Sequence, residues 1–168
     1  MPVENEVKYV LRDPKAVLAL DEPWVKIDQG YLPGDARIRR VHRGGVFELV
    51  RDFFTYKLMV GDRLIEIEME MSSDDFDALW PVSTRRVCKM RSSLAVGNLH
   101  WDIDVLLDDQ DQPYFAMAEC EMPESMIAPD EILPVLLPHI LFAVPRDRQK
   151  EFTNVRLSDV EYARSLYG

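Results

Sequence analysis

The sequence has few cysteines, and their arrangement excludes a disulfide framework or a structural zinc site. Its two cysteines, Cys88 and Cys120, form no CxxC pair, and each lies in an apolar alternation typical of a small buried residue. The sequence also lacks a signal-like N-terminus and any apolar run long enough to span a bilayer. We therefore expect a cytoplasmic protein that does not enter a membrane.

An excess of basic residues is also missing, because the formal net charge is −10, with 30 acidic and 20 basic residues. Nonspecific binding to a nucleic-acid duplex depends on a basic surface, so the composition argues against that partner. The sequence contains no low-complexity tract and no repeat at solenoid spacing. Its 168 residues suffice for one hydrophobic core, so we expect a single domain over residues 1–168.

Most of the sequence shows the two-residue alternation typical of β-strands, with turn signals between the alternating segments. Strands are predicted at residues 4–11, 35–41, 47–60, 64–71, 86–91, 100–107 and 114–122. Helices are predicted from Asp13-Pro14, from Ser72 and from a capping box at Ser158, with broken helical turns over residues 129–145. This pattern predicts an α+β protein dominated by an antiparallel barrel or a strongly curved sheet.

Charged residues recur at alternate positions in seven of these segments, which places the charge of each strand on one face. The charged positions are Glu4, Glu6 and Lys8; Arg37 and Arg39; Lys57; Glu66, Glu68 and Glu70; Lys89 and Arg91; Asp102 and Asp104; and Glu119 and Glu121. The opposite faces are largely apolar. Two architectures fit this pattern: a sandwich whose charged faces meet water, and a barrel whose charged faces line a polar tunnel.

The grouping of these charges by sign favours the barrel. A face that served only solubility would mix signs, because like charges on one face repel each other. Here most strands carry charges of only one sign. This arrangement is destabilising unless ligands of the opposite charge bind between the strands. Divalent cations such as Mg²⁺ take carboxylate oxygens, and Arg and Lys bind phosphate. The residues thus indicate metal-dependent phosphoryl chemistry.

The order of these motifs resembles that of the CYTH-domain triphosphate tunnel metalloenzymes, in particular the small bacterial inorganic triphosphatases. The resemblance begins at Glu4-Asn5-Glu6-Val7-Lys8, which fits the ExExK motif of that family, and it covers nearly the whole chain. It continues through Ala36-Arg37-Ile38-Arg39, Thr55-Tyr56-Lys57, Glu66-Ile67-Glu68, Lys89-Met90-Arg91, Asp102-Ile103-Asp104, Glu119-Cys120-Glu121 and Phe152-Thr153-Asn154. The resemblance implies a closed eight-stranded antiparallel β-barrel with peripheral helices, in a family whose members are often homodimers.

The resemblance also implies roles for individual residues. The triphosphate would bind to Lys8, Arg37, Arg39, Lys57, Lys89 and Arg91. Mg²⁺ or Mn²⁺ would bind among Glu4, Glu6, Glu66, Glu68, Asp104, Glu119 and Glu121, with Glu4, Glu68 and Glu121 as the first choices for direct ligands. Catalytic roles fall to Glu6, Glu66 and Lys89. The two further carboxylates, Glu70 and Asp102, are expected near the rim of the tunnel.

The expected activity is metal-dependent hydrolysis of the terminal phosphoryl group of a small-molecule triphosphate, with inorganic triphosphate as the first choice. The alternatives are a nucleotide- or polyphosphate-binding module without turnover, a thiamine triphosphatase and a class IV adenylyl cyclase. The cyclases usually carry a His-Phe pair just before the ExExK motif, and this chain has no room for one. Any organic part of the substrate is expected to meet Trp24, Arg43 and the apolar segment 126–145 at the tunnel mouth.

Overall fold

The computed structural model describes residues 4–44 and 49–168, and one large sheet dominates it. The strands in these ranges are β1 (Glu6–Leu11), β2 (Val25–Tyr31), β3 (Ala36–Arg43), β4 (Leu49–Val60), β5 (Arg63–Met71), β6 (Arg85–Val96), β7 (Leu99–Leu107), β8 (Pro113–Glu121) and β9 (Ile140–Ala143). The first two positions of the strand predicted at 47–60 lie outside the described residues.

Short helices connect and cover the strands. They are α1 (Pro14–Leu18), α2 (Ser73–Leu79), α3 (Asn154–Leu157) and α4 (Val160–Ser165), together with 3₁₀ segments at Trp80–Val82, Pro134–His139 and Arg146–Phe152. None of the helices in residues 4–44 and 49–168 is long and apolar enough to cross a membrane.

The starts of the helices follow the capping signals of the sequence in two cases of three. Asp13 Oδ1 accepts a hydrogen bond from the backbone N–H of Ala16 at 3.2 Å, and Ser72 Oγ accepts one from Asp75 at 3.1 Å. At the third helix the prediction was wrong by one residue, because Asp159 rather than Ser158 caps α4. Each cap satisfies a backbone donor that has no partner within its own helix.

Neighbouring strands pair antiparallel in the order β5-β4-β3-β2-β6-β7-β8-β1-β9. The predicted antiparallel α+β architecture is therefore confirmed. The closed eight-stranded barrel is not, since the described residues form nine strands in an open order that ends at β5 and β9. Two of the nine strands were not predicted from the alternation. β2 (Val25–Tyr31) lies where no strand was predicted, and β9 lies in the segment predicted as helical turns and pairs with β1 through Tyr9, Val10 and Leu11.

The open sheet nevertheless curves until strands near its two ends come into contact. Lys57 on β4 and Glu4, just ahead of β1, form an ion pair, although five other strands lie between β4 and β1 in the sheet. Twisted sheets of this length curl in this way, and here a side-chain contact rather than a backbone ladder joins the two ends. The concave face therefore encloses a space.

The outer face of the sheet is apolar and carries one part of the hydrophobic core. Val7, Tyr9 and Leu11 of β1 pack there with the corresponding residues of β7 and β8. Val17 of α1 and Leu136 of the 3₁₀ segment Pro134–His139 are fully buried against them. The apolar side of each predicted alternation thus faces outward and is covered by α1 and by the chain between β8 and β9.

The inner face is divided along the strands into a charged half and an apolar half. Lys8 and Glu119 lie in the charged half, whereas Val10 and Met117, two residues farther along the same strands, belong to a second buried cluster. Leu157 of α3 and neighbouring C-terminal side chains pack into that cluster. The C-terminal helices therefore close one end of the enclosed space and leave the charged half as a pocket.

Gly30 on β2 lies where the 3₁₀ segment Trp80–Val82 approaches the outer face. A Cβ atom at Gly30 would lie 3.0 Å from Ser83 Cβ and 3.2 Å from the Trp80 ring.

We expect Gly30→Leu to lower the free energy of unfolding by about 2 kcal/mol, because the added side chain overpacks this contact. Urea denaturation measures the change. Gly44→Ala is the matched control, since nothing lies within 4 Å of its added Cβ, and it should change stability by less than about 0.5 kcal/mol. Equal stability of the two variants would show that the 3₁₀ segment does not pack closely on β2.

Candidate functional site

The charged half of the inner face forms a pocket of about 340 Å³. Strands from most of the sheet and the start of α3 contribute to its wall. The lining residues are Glu4, Glu6, Lys8, Gln29, Tyr31, Arg37, Arg39, Lys57, Lys89, Arg91, Asp102, Glu119, Glu121, Thr153, Asn154 and Val155. Its volume lies in the range of sites for small molecules, and its wall is dominated by charge.

All of the predicted phosphate-binding residues line this one pocket. They are Lys8, Arg37, Arg39, Lys57, Lys89 and Arg91. They come from β1, β3, β4 and β6, which are separated in sequence by up to 83 residues between Lys8 and Arg91. The two-residue spacing within β3 and within β6 places both members of each pair on the inner face. The curvature of the sheet then brings the pairs together.

The predicted metal-binding carboxylates divide into two groups. Glu4, Glu6, Glu119 and Glu121 line the pocket, whereas Glu66, Glu68 and Asp104 do not. Glu68 accepts hydrogen bonds from Arg39 Nη2 at 2.6 Å and from Thr55 Oγ1 at 3.0 Å. Glu66 lies 4.0 Å from Arg37 Nη2. The β5 carboxylates therefore flank the arginines from the edge of the sheet.

Asp104 lies behind the pocket wall and is paired with two basic residues. Its Oδ2 accepts hydrogen bonds from Lys89 Nζ at 2.9 Å and from Arg91 Nη2 at 2.7 Å, and its Oδ1 accepts one from Arg91 Nε at 2.6 Å. Burial opposes ionisation, but Arg91 and Lys89 outweigh it and hold the pKa of Asp104 well below its usual range. Asp104 is thus an ionised partner of two basic side chains of the pocket wall.

The remaining basic residues of the pocket also pair with carboxylates. Lys8 Nζ lies 3.3 Å from Glu6 Oε1 and 3.8 Å from Glu119 Oε1, and Lys57 pairs with Glu4. Within the described ranges, the buried Nε atoms of Arg37 and Arg39 have no hydrogen-bond partner. Buried donors without a partner cost free energy, so they are suited to an acceptor-rich ligand.

Glu119 has a carboxyl group that holds a proton near neutral pH. Burial raises its pKa to about 7, Lys8 opposes this shift, and the carboxylates of Asp104 and Glu6 add to it. A group with a pKa near the working pH can both accept and release a proton during a reaction. Among the carboxylates of the pocket, Glu119 is therefore suited to proton transfer.

The raised pKa of Glu119 has a measurable effect on stability. Between pH 4.5, its ordinary pKa, and about 7, the folded chain binds more protons at this group than the unfolded chain does. Stability contributed by the group is thus complete below 4.5 and is lost as the pH rises through about 7. In the wild type, this group should lower the free energy of unfolding by an amount on the order of 2 kcal/mol between pH 5 and pH 8. We expect Glu119→Gln not to show this decrease.

Urea denaturation at several pH values, with EDTA present, measures this difference. Glu121→Gln is the matched control, because it removes an exposed carboxylate from the same strand. Parallel pH profiles for wild type and Glu119→Gln would contradict the assignment of a near-neutral pKa to Glu119.

The structure adds lining residues to which the sequence analysis gave no role in the site. Gln29 Nε2 donates to the hydroxyl of Tyr31 at 2.6 Å, and both residues line the pocket. Thr153 and Asn154 enter from α3, and the buried Oδ1 of Asn154 has no partner among the described residues. The strand alternation could have identified Gln29, two residues before Tyr31, but no periodic signal marks the start of α3.

Asp102 also lies on the pocket wall, although the sequence placed it near the rim. It lies 3.0 Å from Arg91 Nη1 and two residues before Asp104 on β7. The residues expected to meet an organic group lie elsewhere: Trp24 packs against the outer core, and Arg43 lines a separate small cavity. The segment after β8 covers the outer face, where Met126 and Ile132 pack against the core, and none of its residues lines the charged pocket.

The carboxylate oxygens of the pocket are the type of ligand that a hard divalent cation binds, but they are not arranged as a cation site. In residues 4–44 and 49–168, no group of three or more His, Cys, Asp or Glu side chains is placed to hold a metal ion. Glu4 and Glu6 are instead paired with lysines. Mg²⁺ and Mn²⁺ accept carboxylate and phosphate oxygens together, so the carboxylates on the wall can supply part of such a site once they leave their lysines.

Comparison with known proteins leaves the family of this chain open. No family model matches the sequence, and no curated protein matches it. One similar solved structure is that of a Bacillus halodurans protein that is provisionally named an adenylate cyclase. It has a TM-score of 0.47 and 12% sequence identity, and the match covers 74% of this chain and 82% of that chain. We infer neither an activity nor a family from a similarity of this size.

Proposed function

We propose that the protein hydrolyses the terminal phosphoryl group of a linear triphosphate in the charged pocket, with inorganic triphosphate as the preferred substrate and Mg²⁺ or Mn²⁺ as cofactor. The observation that carries this proposal is the convergence of basic residues from four strands on one pocket of about 340 Å³. A chain of three phosphates presents several negative charges in a row, which matches a wall that carries basic side chains from several strands.

The arginines of β3 supply directed hydrogen bonds for this substrate. Arg37 and Arg39 lie on adjacent inner positions, and the buried Nε of each has no partner within the described part of the chain. A phosphate oxygen is a strong acceptor for such a donor. Lys89 and Arg91 face the same pocket from β6, so the substrate would be held between two pairs of basic residues.

Binding would exchange ionic partners within the pocket. In the structure Lys8 and Lys57 are paired with Glu6 and Glu4. Phosphate oxygens would replace these carboxylates on the lysines and leave the carboxylates for a cation. Glu4, Glu6 and Glu121 are the residues that would hold the cation, which would neutralise phosphate charge and lower the pKa of water.

Glu119 would take the proton of the attacking water. Its pKa of about 7 leaves a large fraction of the carboxylate ionised at neutral pH, ready to accept a proton at Oε1 or Oε2. Transfer of the terminal phosphoryl group to water would yield phosphate and pyrophosphate. Positioning by the basic residues would then supply most of the remaining rate enhancement, as is general for phosphoryl transfer.

Phosphorus NMR of inorganic triphosphate, ATP and thiamine triphosphate, each with protein and Mg²⁺ or Mn²⁺, tests the proposal. We expect inorganic triphosphate to give equal amounts of phosphate and pyrophosphate, and faster than either organic substrate. Cyclic nucleotide and pyrophosphate from ATP would identify a cyclase instead. Binding of triphosphate by calorimetry with no product from any of the three would identify a binding module.

A further inference from the structure

Asp104 is buried more deeply than the other charged groups around the pocket, together with Lys89. Both side chains are 1% exposed, whereas Glu6 and Glu119 are 19% and 20% exposed. Asp104 lies on β7 directly opposite Arg91 of β6 in the antiparallel register. This pairing places one carboxylate beneath two basic residues that face the pocket.

Both oxygens of Asp104 are used by these neighbours. Three hydrogen bonds of 2.6 to 2.9 Å join them to Arg91 Nε, Arg91 Nη2 and Lys89 Nζ. The bond pair from Arg91 is bidentate, which fixes both the position and the plane of the guanidinium group. To ligate a cation, Asp104 would have to give up buried hydrogen bonds and leave basic groups without their partner, which is costly.

We propose that Asp104 is a positioning residue that holds the Lys89 ammonium and the Arg91 guanidinium side by side at the pocket wall, and that it does not ligate the cation. The proposal rests on the proposed function of the pocket. Lysine and arginine side chains lose much rotamer freedom when a ligand fixes them. Side chains that are already fixed bind and orient a phosphoryl group without that loss.

Asp102 provides the contrast on the same strand. It touches Arg91 Nη1 at 3.0 Å, lines the pocket and is 20% exposed, and it also bonds to Ser93 and to His100. Removal of its charge leaves the bidentate contact between Asp104 and Arg91 in place. Asp102→Asn is therefore the matched control for Asp104→Asn.

Steady-state hydrolysis of inorganic triphosphate at varied Mg²⁺ is the first measurement. We expect Asp104→Asn to lower kcat and kcat/KM, the latter about 10- to 100-fold, with the half-saturating Mg²⁺ concentration close to wild type. Asp102→Asn should lower activity less than Asp104→Asn does, because it leaves the bidentate contact between Asp104 and Arg91 in place. Asp104→Glu retains the charge, and it should also lose activity because its longer side chain displaces both basic groups.

The second measurement does not depend on activity. In EDTA and without substrate, the Nε–H proton of Arg91 should give a protected, downfield NMR resonance in wild type and in Asp102→Asn, and Asp104→Asn should lose it. An Asp104→Asn enzyme that regains full kcat at high Mg²⁺ would show a metal ligand and overturn the proposal. Full kcat with a lower unfolding free energy would show a purely structural residue and overturn it as well.

These outcomes are distinct from failure of the proposed function. A wild-type protein that releases no phosphate fails the functional proposal alone. The Arg91 resonance, and calorimetry of inorganic triphosphate binding in EDTA, then still decide whether Asp104 orders the two basic groups.

Discussion

If the pocket hydrolyses inorganic triphosphate as proposed, we expect Arg39→Gln to lower its turnover about 100-fold or more in a coupled phosphate-release assay. Arg39 lies on the pocket wall, and its buried Nε has no partner in the described residues, so a bound phosphate would supply an acceptor for this donor. Donors that are fixed at the reacting group and shielded from water contribute on this scale. Glutamine keeps a polar side chain but removes the charge and the planar guanidinium fork.

Arg51→Gln is the matched control for this prediction. Arg51 also pairs with a β5 carboxylate, Glu70 at 2.8 Å, but it is 46% exposed and does not line the pocket. Its loss should leave turnover within about 2-fold of wild type, because exposed ion pairs contribute little. Equal losses in the two variants would show that the ion pairs to the β5 carboxylates serve stability, and would remove Arg39 from the substrate site.

The second large effect is coupling between triphosphate and metal. We expect the affinity for inorganic triphosphate to rise at least about tenfold when Ca²⁺ or Mg²⁺ is present, beyond the effect of metal–triphosphate association in solution. Without ligands, the pocket neutralises itself through pairs such as Lys57 with Glu4 and Lys8 with Glu6. A phosphate that takes the lysines releases the carboxylates, and a cation that takes the carboxylates releases the lysines.

Isothermal titration calorimetry of triphosphate, with and without Ca²⁺, measures the coupling. Ca²⁺ is used in place of Mg²⁺ in order to limit turnover during the titration. Glu4→Gln is the informative variant, because it frees Lys57 in advance. It should bind metal-free triphosphate more tightly than wild type does and show weaker coupling. Identical affinities with and without metal in the wild type would contradict the exchange of partners.

The alternation in the sequence was sufficient to identify the basic side of the pocket. Lys8, Arg37, Arg39, Lys89 and Arg91 all follow from the rule that residues two apart in a strand share a face. The same rule predicted the apolar outer face. Its cover was not predicted, because segment 126–145 was expected at the tunnel mouth. The position of a strand and the face on which each of its side chains lies depend on residues close in the sequence, so a single sequence is enough to predict them.

The pairing of the carboxylates depends on neighbours across the sheet and could not be predicted in the same way. Glu68 follows the alternation as regularly as Glu119, but β5 lies at the edge of the sheet, where Arg39 and Thr55 hold its carboxylate. Asp104 likewise follows the alternation and yet lies behind the wall, since Lys89 and Arg91 cover it. Only the strand order reveals which carboxylates reach the pocket.

The strand pairing at the end of the sheet could not be predicted from local sequence patterns either. Pro134 and Pro138 in the sequence favoured broken helical turns, and a 3₁₀ segment does form there, but Ile140–Ala143 adds to β1 as a ninth strand. That pairing joins residues about 130 positions apart. The approach of α3 to the pocket depends on similar long-range packing against β8, in which Tyr114 donates to the carbonyl of Leu157 at 2.8 Å.

A crystal structure with Mn²⁺ and a non-hydrolysable imido analogue of triphosphate tests the central claim most directly. We expect the analogue in the charged pocket, with its oxygens on Arg37, Arg39, Lys89 and Arg91, and with Lys57 separated from Glu4. Anomalous density for Mn²⁺ should lie beside Glu4, Glu6 or Glu121 and away from Asp104. An analogue bound elsewhere, or a pocket that keeps its Lys57–Glu4 and Lys8–Glu6 pairs at saturating analogue and Mn²⁺, would contradict it.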